Sequence, residues 1–341
     1  MENSSSNSFD PLAKETQLQM ESQSWDTSQV QAALPGDIPL LDVADYFTTQ
    51  SDAALNTIAT QLHDACLNVG FCSIIGHQFP ADLLNLAFAE ARRFFALPME
   101  VKTSLLMDRS DWSAKGVGYL PVNNRKLPAR DKGNLNEMFV IKRDHVATLN
   151  DNQWPSEDQL PGFRTNTGLY AAQIESLAKR LLPIYARALE LDKDFFASAF
   201  TQPLYRLRMT HYPLIEQKQA DEYGIAPHVD TTFFTLLAQN SPGLVVFSEK
   251  RKCWIHAPVI ENAFIVNTGE LLKQWSNDYF VSVKHFANNN TGDDARYSIP
   301  FFFNANPDYI MECLPTCFDA DNPPKYPPIS YLQSQGVVQG E

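Results

Sequence analysis

Apolar residues change their spacing at about residue 204, and the pattern after that point is what most constrains the fold. Short segments rich in β-branched and aromatic residues (204–212, 228–238, 243–247, 253–259, 263–267, 279–286 and 297–303) alternate there with turn residues. Side chains along a strand point to opposite faces in turn, so a run of such segments predicts sheets packed as a sandwich or barrel. Upstream, apolar residues recur at helical intervals. Leu55, Ile58, Leu62, Cys66 and Val69 lead to a stop at Gly70; Leu84, Ala87, Phe88, Ala91 and Phe94 lie between Pro80 and Pro98. A third helix is predicted over 169–191, with Ile174, Leu177 and Leu181 inward and Pro183 as a kink. Ile38 to Asp42 and Phe71 to Ile75 read as strands. The fold class expected is α+β, mainly β with helices supporting it from the N-terminal side.

The first 35 residues are rich in Ser, Gln and Asn and poor in aromatic residues. Such a stretch buries too little surface to offset the entropy of ordering it, so 1–35 is read as a disordered arm. The remaining divisions are a helical module over 36–200, a β core over 201–333 and a tail over 334–341. Segment 110–136 is long, broken by Gly116, Gly118, Pro121, Pro128 and Gly133, and reads as a loop that controls entry to a site.

Charge and cysteine usage exclude several function classes. A net charge of -13, from 27 basic and 40 acidic residues, repels phosphate backbones and anionic membrane surfaces, so neither nucleic acid nor membrane is expected as a partner. The basic run from Arg125 to Lys132 is short and broken by proline, and reads as a solvated loop. Cys66, Cys72, Cys253, Cys313 and Cys317 form an odd set without paired spacing, which suits reduced thiols in the cytoplasm. Cys313 and Cys317 lack the second half of a zinc site and read as small apolar fillers. The opening MENSSSNSFD has no signal or transit pattern, and no stretch is apolar enough to span a membrane. Phosphate-binding and nucleophile-elbow motifs are absent.

Only one of the seven histidines is followed two positions later by a carboxylate, in Pro227-His228-Val229-Asp230. On a strand, two such side chains share a face and can converge on one ion. Candidates for a third ligand are His211, His256 and His285, and spacing alone does not choose among them. Two imidazoles and one carboxylate leave three octahedral positions open, which suits non-haem Fe(II) and O2. Arg296-Tyr297-Ser298, eleven residues beyond His285, is the chain's only R-x-S and could clamp a carboxylate.

Together these residues resemble the isopenicillin N synthase-like 2-oxoglutarate/Fe(II)-dependent dioxygenases, whose signature is H-x-D, a later His and then R-x-S. The resemblance extends to Leu207-Arg-Met-Thr-His-Tyr-Pro213, Gly243-Leu244, Val266-Asn-Thr-Gly-Glu-Leu271 and Trp275-Ser-Asn277. In the first half it extends to Val69-Gly-Phe-Cys72 and Phe94-Phe-Ala-Leu-Pro98, so that it spans roughly 37–333. It implies a double-stranded β-helix, or jelly roll, with His228, Asp230 and His285 holding Fe(II). It implies Arg296, Ser298 and Tyr212 around 2-oxoglutarate, with O2 as the second co-substrate and a small molecule as the substrate. Thr210 stands where many relatives carry Asn, which leaves Tyr212 as the better carboxylate partner. One of Phe301, Phe302 and Phe303 is expected to wall the site and the other two to fill the core. The same scaffold also hosts oxidases that do without the oxo-acid and silent members that only bind a ligand. Substrate, product type and oligomeric state are left open by these patterns.

Overall fold

The structure is a computed structural model that describes residues 26–107, 116–123, 132–144, 152–216, 222–290, 292 and 294–334. Fifteen strands lie in chain order among these: β1 (Val30–Ala32), β2 (Leu40–Asp42), β3 (Phe71–Ile75), β4 (Gly118–Leu120), β5 (Glu137–Lys142), β6 (Tyr205–Tyr212), β7 (Ile225–His228), β8 (Phe234–Gln239), β9 (Leu244–Ser248), β10 (Cys253–His256), β11 (Phe264–Thr268), β12 (His285–Ala287), β13 (Arg296–Phe303), β14 (Ile310–Met311) and β15 (Ile329–Ser330). A large sheet runs β2-β3-β11-β8-β13-β6-β5-β4 and a small one β1-β10-β9-β12-β7. From β6 to β13 the chain passes back and forth between the two sheets. That winding is the jelly roll.

The long helices pack against the large sheet. The helix Asp52–Asn68 (α2, after the short α1, Ala44–Thr49) begins where Ser51 accepts a hydrogen bond from the Ala54 amide. It ends at Gly70, which takes φ +72 and whose amide reaches back to the Ala65 carbonyl, 2.8 Å. A Cβ at Gly70 would lie 2.8 Å from Val283, so glycine is needed there for both space and backbone angle. The helix Ala81–Phe95 (α3) lies across β6 and β13, and the 26-residue helix Phe163–Ala188 packs against α2 and α3. Its buried stripe of Tyr170, Ile174, Leu177 and Leu181 removes about 1.5 to 3 kcal/mol worth of apolar surface per side chain from water. This helix starts six residues before its predicted start, behind Gly162 at φ +75, and runs through Pro183 to Ala188.

Four sequence expectations change. Val30–Ala32, inside the stretch read as an arm, pairs in parallel with Cys253–His256. The Trp254 indole donates to the Asp26 carbonyl, 3.0 Å, which helps dock this segment; residues 1–25 lie outside the described residues. The predicted strand 228–238 is two strands in different sheets, β7 and β8, joined by a corner. The predicted strand 279–286 is reduced to His285–Ala287, since 279–284 take no strand conformation. Much of 110–136 lies outside the described residues, but Gly118–Leu120 and Glu137–Lys142 at its margins extend the large sheet.

Candidate active site

The small sheet places two of the predicted ligands directly opposite each other. His228 ends β7, His285 begins β12, and the two are antiparallel register partners. Asp230 is not on the strand. It sits in the corner after β7, where Thr235 and Asn267 each donate to its Oδ2 at 2.8 Å. Its Oδ1 is thereby directed at the imidazoles, 3.7 Å from Nε2 of His228 and 3.7 Å from Nε2 of His285. The three donor atoms lie within 4.8 Å of one another.

Tautomers follow from what a carbonyl can accept. His228 Nδ1 faces the Ala226 carbonyl at 2.8 Å and His285 Nδ1 faces that of Val283 at 3.1 Å. Both Nδ1 atoms therefore carry hydrogen, and both Nε2 atoms present a lone pair toward Asp230. Burial, reinforced by His285 nearby, pushes the His228 pKa down to about 3, so this imidazole is neutral at physiological pH. Burial alone would raise the Asp230 pKa. The two imidazoles and the bonds from Asn267 and Thr235 outweigh it and hold the carboxyl below its ordinary value. A carboxylate and two imidazole nitrogens, each imidazole oriented by a carbonyl at its Nδ1, are the donor set a divalent transition ion requires.

The same cavity is lined by a group of residues able to clamp a carboxylate. Arg296 is 2 % exposed, and its Nη1 is buried without a hydrogen-bond partner. Its guanidinium lies 4.2 Å over the ring of Tyr212, its register partner on β6. The Tyr212 hydroxyl is 3.3 Å from Ser298 Oγ. An unpaired buried guanidinium is costly, and beside two hydroxyls its natural complement is a carboxylate. Gly243, at φ +152, leaves space for it: a Cβ there would stand 2.8 Å from both Cδ and Cζ of Arg296. The donors and the clamp together fit Fe(II) and 2-oxoglutarate.

All six residues singled out in the sequence line this one cavity. The other candidate histidines are elsewhere. His256 is exposed on β10, and His211 points to the outer face of β6, bonded to Glu137 at 2.7 Å. Thr210 lies opposite Ser298 in register, yet it is absent from the cavity wall. Phe302 walls the cavity while Phe301 and Phe303 are fully buried in the helix-side core. Sequence reasoning missed Thr235 and Asn267 as supports of Asp230, Gly243 as the space for Arg296, and Arg208 as a wall residue. Arg208, Gly243 and Asn267 stand in family-like stretches, but nothing in a linear pattern says which side chains of a stretch face the cavity.

Comparison with known proteins agrees with this geometry. Residues 38–157 match the family described as non-haem dioxygenase in morphine synthesis N-terminal, and residues 203–305 match the 2OG-Fe(II) oxygenase superfamily. The chain is 33% identical over 324 residues to the 2-oxoglutarate-Fe(II) type oxidoreductase hxnY of Emericella nidulans, covering 88% of this chain and 91% of that one. It is 33% identical over 288 residues to kihadalactone A synthase LFS of Citrus sinensis, covering 80% and 84%. The crystal structure of a full-length Neurospora crassa protein in complex with alpha-KG superposes with a TM-score of 0.79 at 26% identity, covering 89% of this chain and 97% of that one. Matched through both its modules, the chain belongs to the 2OG-Fe(II) oxygenase superfamily and is a 2-oxoglutarate-dependent Fe(II) dioxygenase.

Proposed function

We propose that His228, Asp230 and His285 hold the Fe(II), that Arg296 and Ser298, with Tyr212 beside them, hold the far carboxylate of 2-oxoglutarate, and that the enzyme oxidises a C–H bond of a small molecule. The observation that carries this reading is Arg296: a buried guanidinium with one nitrogen unpaired, in the same cavity as the three donors. When bound, iron with 2-oxoglutarate and O2 supplies an oxidant strong enough for an unactivated C–H bond, leaving succinate and CO2. The protein's own groups bind and orient. Asn267 and Thr235 fix Asp230, the Ala226 and Val283 carbonyls fix the two imidazole planes, and Phe302 and Pro300 keep water from one side of the cavity.

The comparisons favour a compact organic substrate. A further crystal structure of the same N. crassa protein holds thymine beside alpha-KG, and the Citrus relative is named for the synthesis of kihadalactone A. Hydroxylation, desaturation and ring rearrangement are all within the chemistry, and a role in specialised metabolism fits these relatives. Five free cysteines, together with described helices none of which is long and apolar enough to cross a membrane, support a cytoplasmic location. The test is a titration of 2-oxoglutarate against wild type and Arg296→Lys at saturating iron, read by O2 uptake. Losing a bidentate charge-assisted pair costs on the order of 1.5 to 3 kcal/mol, so the apparent KM should rise about ten- to a hundredfold. An unchanged KM would remove Arg296 from the co-substrate site.

A further inference from the structure

The strand that carries the clamp is held by different means on its two sides. Along β6 the pairing runs on through Tyr297 and His211 to Arg296 and Tyr212, so that side of β13 is paired to its first residue. Along β8 the ladder stops at Ser298 and Gln239, before it reaches Tyr297 or Arg296. Beyond that point a side chain continues it. Asn240 accepts the Tyr297 amide on its Oδ1 at 2.7 Å and donates its own amide to the Tyr297 carbonyl at 3.2 Å. Its Nδ2 donates to the Ala295 carbonyl at 3.5 Å. The Tyr297 ring is fixed separately, stacked on His211 with centroids 4.9 Å apart and with the Arg92 guanidinium 5.3 Å from its centre.

Asn240 also opens the turn that frames Arg296. Ser241 Oγ donates to Asn240 Oδ1 at 3.3 Å, the Ser241 carbonyl accepts from Arg296 Nε at 3.4 Å, and Gly243 leaves the space that the guanidinium fills. The acceptor and the space thus belong to one segment and the guanidinium to another, and Asn240 is bonded to both. Its side chain is exposed and does not line the cavity, so it contributes through these bonds and not through buried surface or ligand contact. Backbone groups left unpaired at the end of a ladder open first, and a bidentate fork works only when both of its nitrogens are aligned with the carboxylate.

We propose that Asn240 is a positioning residue for 2-oxoglutarate: by tying the turn 240–243 to the strand on either side of Arg296, it holds the guanidinium fork in line with the far carboxylate. The inference rests on the assignment of Arg296 to that carboxylate, and its test separates the two. Full-length enzyme, anaerobic and loaded with Fe(II), is titrated with 2-oxoglutarate by calorimetry as wild type, Asn240→Ala, Arg296→Lys and the double variant. The KM for 2-oxoglutarate is measured in parallel from labelled CO2 release, and Fe(II) affinity separately. Asn240→Ala should raise both Kd and KM for 2-oxoglutarate about three- to tenfold, the worth of a neutral hydrogen bond, while kcat falls much less. Fe(II) affinity should stay within about twofold of wild type, since the three donors lie on other segments. In the Arg296→Lys background the same alanine should cost less than about twofold, because the fork it positions is gone. An unchanged Kd in Asn240→Ala, an equal cost in both backgrounds, or a parallel loss of Fe(II) affinity would each overturn the proposal. If Arg296→Lys binds 2-oxoglutarate as tightly as wild type, the Arg296 assignment falls, and this inference with it.

Discussion

Gly243→Ala tests whether the clamp depends on a backbone position that touches no ligand. An added Cβ would sit 2.8 Å from Cδ and Cζ of Arg296 and closer still to Nε, and φ +152 already disfavours any side chain there. Contacts of that length do not persist between real atoms, so either the guanidinium or the β9 entry must shift by several tenths of an ångström. Arg296 is the part that can turn, since its hydrogen bond from Nε to the Ser241 carbonyl is a long one, 3.4 Å. Misaligning the fork forfeits most of a charge-assisted pair, on the order of 1.5 to 3 kcal/mol, or about ten- to a hundredfold in apparent KM for 2-oxoglutarate. The assay is O2 uptake against 2-oxoglutarate at saturating Fe(II), with iron binding measured separately. Because the three ligands lie on other segments, iron affinity should change much less than KM. The sharper measurement is the double variant with Arg296→Lys. If Gly243 acts through Arg296, the alanine should cost much less in that background. Equal costs in both backgrounds, or a KM unchanged by Gly243→Ala, would refute the reasoning.

On the proposed iron assignment, Asp230→Ala removes the one anionic donor and should abolish stable iron binding, seen as loss of metal content after desalting. Asn267→Ala keeps all three ligands but frees one side of the Asp230 carboxylate, and should weaken iron about ten- to a hundredfold; retention at wild-type affinity would show that Thr235 suffices. Glu137→Gln should cost on the order of 3 to 5 kcal/mol, because it leaves buried Lys102 without its charge partner at 2.9 Å. Burial alone would raise the Glu137 pKa, but bonds from His211, Lys102 and Tyr119 outweigh it and hold it below its ordinary value. A depressed carboxyl stabilises the fold above its unfolded pKa, about 4.3, and that contribution fades as pH falls through the lower folded value. The Tm gap between wild type and variant should therefore be full at pH 7 and narrow below about pH 4; a constant gap would contradict it.

Most of the site could be read from the sequence because its chemistry is written as short spacings. Arg296 and Ser298 do share the inner face of one strand, as their i, i+2 spacing requires. His228 and Asp230 converge for a different reason, since the strand ends at His228 and the carboxylate is aimed by Thr235 and Asn267. Spacing could not choose among the candidates for a third ligand, because strand pairing sets which histidine lies near the pair: β12 lies against β7, whereas His256 is on the far side of the small sheet. The strands at the margins of 110–136 were hidden by the glycines and prolines around them. Gly118 looks like a strand breaker but is required, since its φ is +108 and a Cβ would collide with the Leu105 carbonyl. Val30–Ala32 was hidden for the opposite reason: three residues of edge pairing carry no periodicity to detect.

The strand Ile225–His228 ends the small sheet and pairs with a strand on one side only, where the register slips between His285 and Ala287. Such an edge is where a folded chain breathes first, exchanging its amide hydrogens and admitting proteases. His228 and His285 stand across this seam, so an ion shared between them, as proposed, is a staple as well as a reactive centre. At a hundredfold excess over its dissociation constant a ligand adds about 2.7 kcal/mol to the form that binds it, close to a hundredfold in the frequency of opening. A cell short of iron would therefore hold not merely an idle enzyme but a shorter-lived one.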